Sequence, residues 1–273
     1  MTSLQSLILG LVQGTNEFIP VSSTAHLILV PWLLGWNFDP KVAFVFDVLL
    51  QLGTLVAVVA YFSPDLFQIA RALLIGLRRG RPFAESQGRL GGLVCLATLP
   101  AVLVGAAFKV FFQGLHQNPP LVAAILLGTA VLIWASERIG RRTRHLESIT
   151  WRDALFIGCA QSLALLPGVS RSAATICGGL VLDLERPAAA RFSFLMSVPV
   201  LLAAGAVATR DLLYLPNFAT YLPPLAWGFV AAAIAGFASI GWLLSYLARR
   251  PLYVFAWYRV VFGLLCLLFA FLA

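Results

Sequence analysis

One polar stretch interrupts the apolar sequence close to its start. Residues 10–26 read GLVQGTNEFIPVSSTAH, and the side chains in it that could do chemistry include an amide, a carboxylate, three hydroxyls and an imidazole, at Gln13, Glu17, Ser22, Ser23, Thr24 and His26. Ionisable groups at membrane depth are costly, and proteins retain them there mainly for pairing or for function. We therefore predict a functional site in this stretch.

The spacing of these groups fits the hydrolysis of a phosphate ester. Gln13 and Glu17 are four residues apart and share a helix face. A carboxylate with an amide oxygen can hold Mg²⁺ or Ca²⁺ when phosphate oxygens and water complete the coordination shell. Ser23 and His26 also share a face, so the imidazole could act as general base for the serine or as the nucleophile itself. The sequence leaves both routes open.

A second polar stretch repeats the first one 148 residues later. The shift aligns residues of the same kind, namely Gly10 with Gly158, Gln13 with Gln161, Val21 with Val169, Ser22 with Ser170 and Thr24 with Ser172. Both stretches have the order helix, proline, serine-rich break, helix. Serine is a favoured N-cap, and a helix N-terminus offers unpaired N–H groups and partial positive charge to an anion. Two such termini predict a site for two anionic groups.

Arg171 adds a permanent positive charge to the second break. Its planar guanidinium suits phosphate oxygens, and with the hydroxyls of both breaks it predicts a diphosphate site formed by Ser22, Thr24, Ser170, Arg171 and Ser172. A structural alternative exists. Hydroxyls in membrane helices more often bond the backbone or bridge helices than catalyse, and the charges of Glu17, His26 and Arg171 could serve only as ion-pair partners.

The composition excludes a soluble domain. Of the 273 residues, 60% are hydrophobic and only 11% are charged, and the mean hydropathy is +0.92. The net charge of +8 does not indicate nucleic acid, because the arginines lie in short loops between apolar runs. We take anionic membrane lipid as their partner. No Lys or Arg precedes Lys41, so a cleaved signal peptide is not predicted.

The apolar runs predict an all-α integral membrane protein with a single domain. A span needs about 20 apolar residues, and six segments qualify, at 43–62, 90–112, 121–134 with its flanks, 192–209, 222–246 and 252–272. Residues 4–35 and 151–183 are broken in the middle by Pro20 and Pro167, so we predict two re-entrant helical hairpins. Glu137 and Arg138 indicate an interfacial loop, and Arg259 could either extend to the cytoplasmic interface or stay buried.

The arginines also predict the orientation. The positive-inside rule assigns the loops at 71–89, 138–152 and 249–250 to the cytoplasm, and those at 113–119 and 210–221 to the outside. Each half then holds one hairpin and three spans, so the two halves, about 1–140 and about 150–273, form an inverted-topology repeat. The first hairpin enters from the outer side, and the site should open outward.

At these residues the chain resembles the bacterial undecaprenyl-diphosphate phosphatase family, also called the bacitracin-resistance proteins. The first matching motif is QGTNEFIPVSSTAH at 13–26, and the second is PGVSRS at 167–172. The resemblance covers the whole chain through Phe46-Asp47, Gln51-Leu-Gly53, Gly88-Arg-Leu90 and Tyr258-Arg259. It implies six spans with two re-entrant hairpins, and hydrolysis of a C55 polyprenyl diphosphate to the monophosphate and inorganic phosphate in the bacterial plasma membrane.

The resemblance also implies roles for individual residues. Glu17 would be the essential acid near the metal, Ser23 and His26 the hydrolytic pair, and Arg171 with Ser170 the diphosphate clamp. Two positions depart from the family pattern. Gln13 stands where many members have a second Glu, which makes the metal site less charged, and Ala173 replaces a Gly, which narrows backbone access at the clamp.

Two other functions fit the same sequence features. Inverted repeats with broken helices also build secondary transporters, so a transporter or flippase for polyprenyl phosphates is the alternative. A non-catalytic polyprenyl-phosphate binder is the third option. The sequence does not decide between Ser23 and His26 as nucleophile, does not identify the metal ion, and leaves a homodimer open.

Overall fold

The chain is helical, as predicted. A computed structural model describes residues 1–115, 118–213, 219 and 222–272. These residues form α-helices, two 3-10 turns and one isolated β-bridge, and no strand. The helices are α1 (Ser3–Phe18), α2 (Ser23–Leu33), α3 (Pro40–Tyr61), α4 (Ser63–Arg78), α5 (Ser86–Ala107), α6 (Lys109–Leu115), α7 (Pro119–Ile139), α8 (Trp151–Ser162), α9 (Arg171–Val181), α10 (Arg186–Leu213), α11 (Leu222–Leu247) and α12 (Tyr253–Leu272).

The long helices coincide with the predicted spans. Within the described ranges, α5, α7, α10, α11 and α12 are long and apolar enough to cross a membrane. Helices α3 and α4 meet the same criterion only together and are bent by 77° at their junction, so the count reaches six if the pair is one span. The chain is therefore a multi-pass α-helical membrane protein. The number of six spans stays a prediction.

Both polar stretches break a helix where the prolines predicted it. Helix α1 ends at Phe18 and α2 begins at Ser23, whereas α8 ends at Ser162 and continues into a 3-10 turn before α9 begins at Arg171. Proline lacks a backbone N–H and disfavours helical geometry in the residue before it, which accounts for breaks at Pro20 and Pro167. Helix α1 packs on α2, and α8 packs on α9. Their re-entrant course through a membrane stays a prediction.

Small residues let the broken helices approach the long ones closely. A side chain at Gly10 would collide with the backbone of Gly228 in α11, and one at Gly158 would collide with the backbone of Ala97 in α5. Close backbone contact of this kind is how membrane helices gain packing energy. Gly10 and Gly158 are related by the 148-residue shift, so the two halves make matching contacts. The inverted repeat would produce such a match, and it remains a prediction.

Glu137 lies in the last turn of α7 and not in the interfacial loop that the sequence predicted. Its carboxylate is fully buried at the end of α7. One oxygen accepts hydrogen bonds from Arg186 Nε and Leu252 N, each at 2.8 Å, and the other accepts from Arg186 Nη2 at 2.6 Å and Arg142 Nη2 at 2.7 Å. A buried carboxylate is tolerated when it is paired and hydrogen-bonded in this way. The residue therefore joins α7 to the starts of α10 and α12.

Candidate active site

Serine caps both helices that leave the breaks. Ser22 Oγ accepts a hydrogen bond from Ala25 N at 3.3 Å at the start of α2, and Ser170 Oγ accepts one from Ala173 N at 3.2 Å at the start of α9. The expected N-caps are thus confirmed. Ala173, the departure from the family pattern, is buried and takes part in the cap through its N–H. Its methyl group does not prevent the cap from forming.

Ser22 has an unusual backbone conformation. Its φ of 73° lies in the left-handed region, which costs a residue with a side chain about 1–2 kcal/mol. Backbone strain of this kind persists only where surrounding contacts impose it. The Ser22 carbonyl oxygen supplies such contacts, because it accepts from His26 N at 3.2 Å and from His26 Nδ1 at 2.8 Å. The resulting turn lies directly before Ser23.

Glu17 joins the two breaks. Its Oε2 accepts hydrogen bonds from Ser23 Oγ at 2.7 Å and from Gln13 Nε2 at 2.9 Å. Its Oε1 accepts from Arg171 Nη2, 154 residues later in the chain, at 3.1 Å. The carboxylate is 6% exposed, so this ion pair is poorly screened by water. The structure therefore brings four predicted site residues into one buried cluster.

The second break is held against the first by a chain of hydroxyls. Ser172 Oγ donates to the carbonyl oxygen of Ile19 at 3.3 Å, and Ser170 Oγ lies 2.9 Å from Ser172 Oγ. Arg171 Nη1 donates to the carbonyl oxygen of Ser193 on α10 at 3.3 Å. These contacts fix the first turn of α9 between α1 and α10. They also give the hydroxyls of Ser170 and Ser172 a structural role.

His26 makes its hydrogen bonds away from Ser23. Because the Ser22 carbonyl can only accept, we assign the proton to His26 Nδ1 and treat Nε2 as the acceptor of the Tyr258 hydroxyl, 2.7 Å away. The imidazole also stacks on Phe262 with ring centroids 4.6 Å apart. No hydrogen bond between Ser23 and His26 is found among the described residues. The predicted hydrolytic role of Ser23 and His26 as a pair stays a prediction. The geometry does not favour proton transfer from Ser23 to His26.

Thr24 is a predicted site residue that lies beside the cluster. It is half-buried in the first turn of α2, next to Ser23. Its predicted contact with substrate stays a prediction.

Gln13 has one oxygen suited to a cation. Its Nε2 donates to Glu17, whereas its Oε1 is buried and has no hydrogen-bond partner among the described residues. Buried polar atoms are rarely left unpaired without a ligand, an ion or water. The described residues contain no group of three or more His, Cys, Asp or Glu side chains that could hold a metal ion by themselves. A cation held by Glu17 and Gln13 would have to take most of its ligands from substrate and water, and its binding stays a prediction.

Comparison with known proteins gives the family of the chain. Residues 6–265 match the family model described as bacitracin resistance protein BacA. The chain belongs to this family. A Thermomicrobium roseum relative is 43% identical over 275 residues, 98% of each chain, and a Synechococcus relative is 42% identical over 267 residues, 96% of this chain and 92% of its own. A Moorella thermoacetica relative is 41% identical over 265 residues, 97% of each chain. All three are named undecaprenyl-diphosphatase.

Membership in the BacA family confirms the resemblance.

The structure adds Arg259 to the site, a residue whose position the sequence left open. This residue does not reach the interface, because it is fully buried. Its Nε donates to the carbonyl oxygen of Pro20 at 2.9 Å, and its Nη1 donates to Thr129 Oγ1 at 2.6 Å. Thr129 Oγ1 lies 3.4 Å from the carbonyl oxygen of Gly168. Arg259 therefore supports the first break directly and the second through Thr129.

A signal for Arg259 is present in the sequence. It is an arginine within a predicted span, and such residues usually face the protein interior and serve function. Its partners could not be predicted in the same way. One of them is a backbone carbonyl 239 residues away, and no sequence pattern marks a backbone carbonyl as a hydrogen-bond acceptor.

Arg171→Lys is expected to lower kcat/KM for a polyprenyl diphosphate by about 10²-fold, the effect of losing one preorganised donor. Lysine keeps the charge but loses the planar fork that reaches Glu17 and Ser193 together. The control is Arg191→Lys, because Arg191 also pairs with a carboxylate, that of Asp65, at 2.5 Å but lies outside the cluster. Steady-state kinetics of both variants check the result, and equal values for Arg171→Lys and wild type would reduce Arg171 to a structural ion-pair partner.

Proposed function

We propose that this protein is an integral-membrane phosphatase that hydrolyses undecaprenyl diphosphate to undecaprenyl monophosphate and inorganic phosphate, which recycles the cell-wall lipid carrier. One observation carries the proposal, namely the buried cluster in which the Glu17 carboxylate binds the Ser23 hydroxyl and the Arg171 guanidinium. The names of the BacA relatives support this choice of substrate.

The geometry favours Glu17 as the base for Ser23. A hydroxyl that donates to a carboxylate at 2.7 Å can transfer its proton as it attacks. Ser23 Oγ would attack the terminal phosphorus and pass its proton to Glu17. The phosphoanhydride bond would break, and the polyprenyl monophosphate would leave with the bonding electron pair. Such a leaving group is stable as an anion and needs no proton.

Hydrolysis of the resulting phosphoserine reverses the roles. Glu17 returns the proton to Ser23 Oγ and takes one from the attacking water. It then passes this second proton to the departing inorganic phosphate, which restores the Glu17 carboxylate. Arg171 and the N-termini of α2 and α9 would stabilise the negative charge on the transferred phosphoryl group. His26 would keep the first break in the geometry that directs Ser23 to Glu17, through its bonds to the Ser22 carbonyl.

A divalent cation fits beside this pair. Mg²⁺ or Ca²⁺ would be held by the Glu17 carboxylate and Gln13 Oε1, and when bound it would neutralise charge on the substrate phosphates. The orphaned amide oxygen of Gln13 supports this placement. The weak protein contribution to the coordination shell predicts that a chelator removes the ion readily.

The function is tested by phosphate release. Purified protein should release inorganic phosphate from undecaprenyl diphosphate, and a chelator of divalent cations should suppress the release until Mg²⁺ or Ca²⁺ is restored. The transporter and the non-catalytic binder both predict no release. Full activity in the presence of the chelator would support the phosphatase but contradict a role for the divalent cation. The absence of any phosphate release would contradict the proposed function.

We also propose that the protein lies in the bacterial plasma membrane with its active site open to the outer side. The proposed orientation follows from the arginine-rich loops. In intact cells, a membrane-impermeant thiol reagent should label Gln117→Cys but not Arg79→Cys. Residue 117 lies outside the described residues, as do parts of 210–221. Because Cys95 and Cys159 are exposed, both should first be replaced by alanine, and the opposite labelling pattern would place the site on the cytoplasmic side.

A further inference from the structure

A groove separate from the active site opens beside the beginning of α5. It encloses about 590 Å³ between the first turns of α5, the segment before them and the start of α8. Leu93 and Leu96 form an apolar wall, and the ring of Phe83 lies against Gly92, where a side chain would displace it. Arg89 is the charged residue of the lining. Such a pocket is apolar along its length and cationic at one end.

The groove runs along a helix that is long and apolar enough to cross a membrane. Arg89 lies in the first turn of α5 and Leu96 two turns further on, so the two differ in depth by about 10 Å at 1.5 Å per residue. Trp151 lines the groove and is exposed at the start of α8, and tryptophan and arginine are common where a span meets the membrane surface. In a membrane crossed by α5, the cationic end would therefore lie at the level of lipid headgroups, and the apolar end at the level of acyl chains.

Within the described part of the chain, the hydrogen-bond partners of Arg89 at the mouth of the groove are uncharged. Arg89 Nη2 donates to the carbonyl oxygens of Glu147 at 2.8 Å and Ile149 at 3.1 Å, and these partners carry no net charge. Among the described residues no carboxylate forms an ion pair with Arg89. Arg152 adds a second exposed guanidinium, which lies 5.2 Å from the centre of the Trp151 ring. Both charges are available to an anion at this surface.

We propose that this groove binds an anionic glycerophospholipid, with its phosphate at Arg89 and one acyl chain along Leu93 and Leu96. The site is separate from the catalytic cluster, because α8 begins at the groove and extends about 18 Å before the break that carries Arg171. The short groove suits one acyl chain better than a long polyprenyl chain. The proposal does not depend on the enzymatic function.

Native mass spectrometry of the purified protein tests this site. Phosphatidylglycerol should remain bound more tightly than phosphatidylcholine with the same chains. Arg89→Ala should weaken phosphatidylglycerol binding about fivefold, the effect of one basic residue near an anionic headgroup, and weaken phosphatidylcholine binding less, because the choline ammonium already offsets the charge of its phosphate. Leu96→Trp fills the groove and should weaken both lipids. Arg152→Ala is a second variant with the same expected direction in case Arg89→Ala does not fold.

Arg138→Ala is the matched control. Arg138 also lies over a tryptophan ring, that of Trp134 at 3.8 Å, but at the end of α7 and outside this groove. Its removal should leave phosphatidylglycerol binding at the wild-type level. Equal affinity of the wild type for the two phospholipids, or equal losses in Arg89→Ala and Arg138→Ala, would overturn the proposal. Tighter binding of undecaprenyl monophosphate, with displacement of phosphatidylglycerol, would overturn the choice of lipid.

Discussion

Glu17→Gln is expected to lower kcat/KM for undecaprenyl diphosphate by about 10³-fold or more. Glutamine keeps the size of the side chain and can still bond Ser23, but it cannot take the serine proton, and a positioned general base is worth about 10²–10⁴-fold. The change also leaves Arg171 without its buried anionic partner, so the clamp loses its position. Phosphate-release kinetics on purified protein measure the effect.

The Glu17 result must be separated from unfolding. Thermal melting should show that Glu17→Gln remains folded, and Glu85→Gln, at an exposed glutamate before α5, supplies the control with wild-type turnover. A folded Glu17→Gln protein that keeps activity within a few-fold of wild type would remove Glu17 from the chemistry and leave it a structural ion-pair partner.

Ser23→Ala should abolish turnover, whereas His26→Ala should lower it by about 10²-fold or less. The reason is the geometry of the cluster, in which Ser23 donates to Glu17 while His26 bonds the Ser22 carbonyl and Tyr258. Removing the residue that attacks phosphorus abolishes turnover. Removing a residue that only positions the attacking group should lower turnover about as much as the loss of one preorganised donor. Steady-state kinetics of the two single variants decide between these roles.

The double variant adds a further check. Residues that act as a unit are non-additive, so Ser23→Ala with His26→Ala should be no worse than Ser23→Ala alone. Ser239→Ala is the control, because Ser239 is also buried but its hydroxyl donates to the Ala235 carbonyl of its own helix, away from the cluster. A dead His26→Ala together with an active Ser23→Ala would make the imidazole the nucleophile and Ser23 a phosphate donor.

The breaks in the two hairpins could be predicted because their signals are local. Pro20 follows the end of α1, Pro167 follows the 3-10 turn after α8, and a serine then caps the next helix. The residue types and their order are therefore enough to predict both breaks. The meeting of the two stretches also followed from their repetition and from the need of Glu17 for a partner. Arg171 supplies that partner.

The partner of Ser23 could not be predicted, because it depends on tertiary geometry. A spacing of three residues places Ser23 and His26 on one helix face, but the left-handed turn at Ser22 lets Ser23 reach across the break to Glu17. The same limit applies to Glu137 and Arg259. Both bond groups more than 100 residues away that show no pattern in the sequence.

Trapping the phosphoenzyme tests most directly whether the terminal phosphoryl group passes through Ser23. Undecaprenyl diphosphate with a radiolabelled terminal phosphate is mixed with the protein, quenched in acid and analysed by peptide mapping. The mechanism predicts an acid-stable, base-labile phosphoserine at Ser23 that Ser23→Ala lacks. An acid-labile, base-stable phosphohistidine at His26 would contradict it.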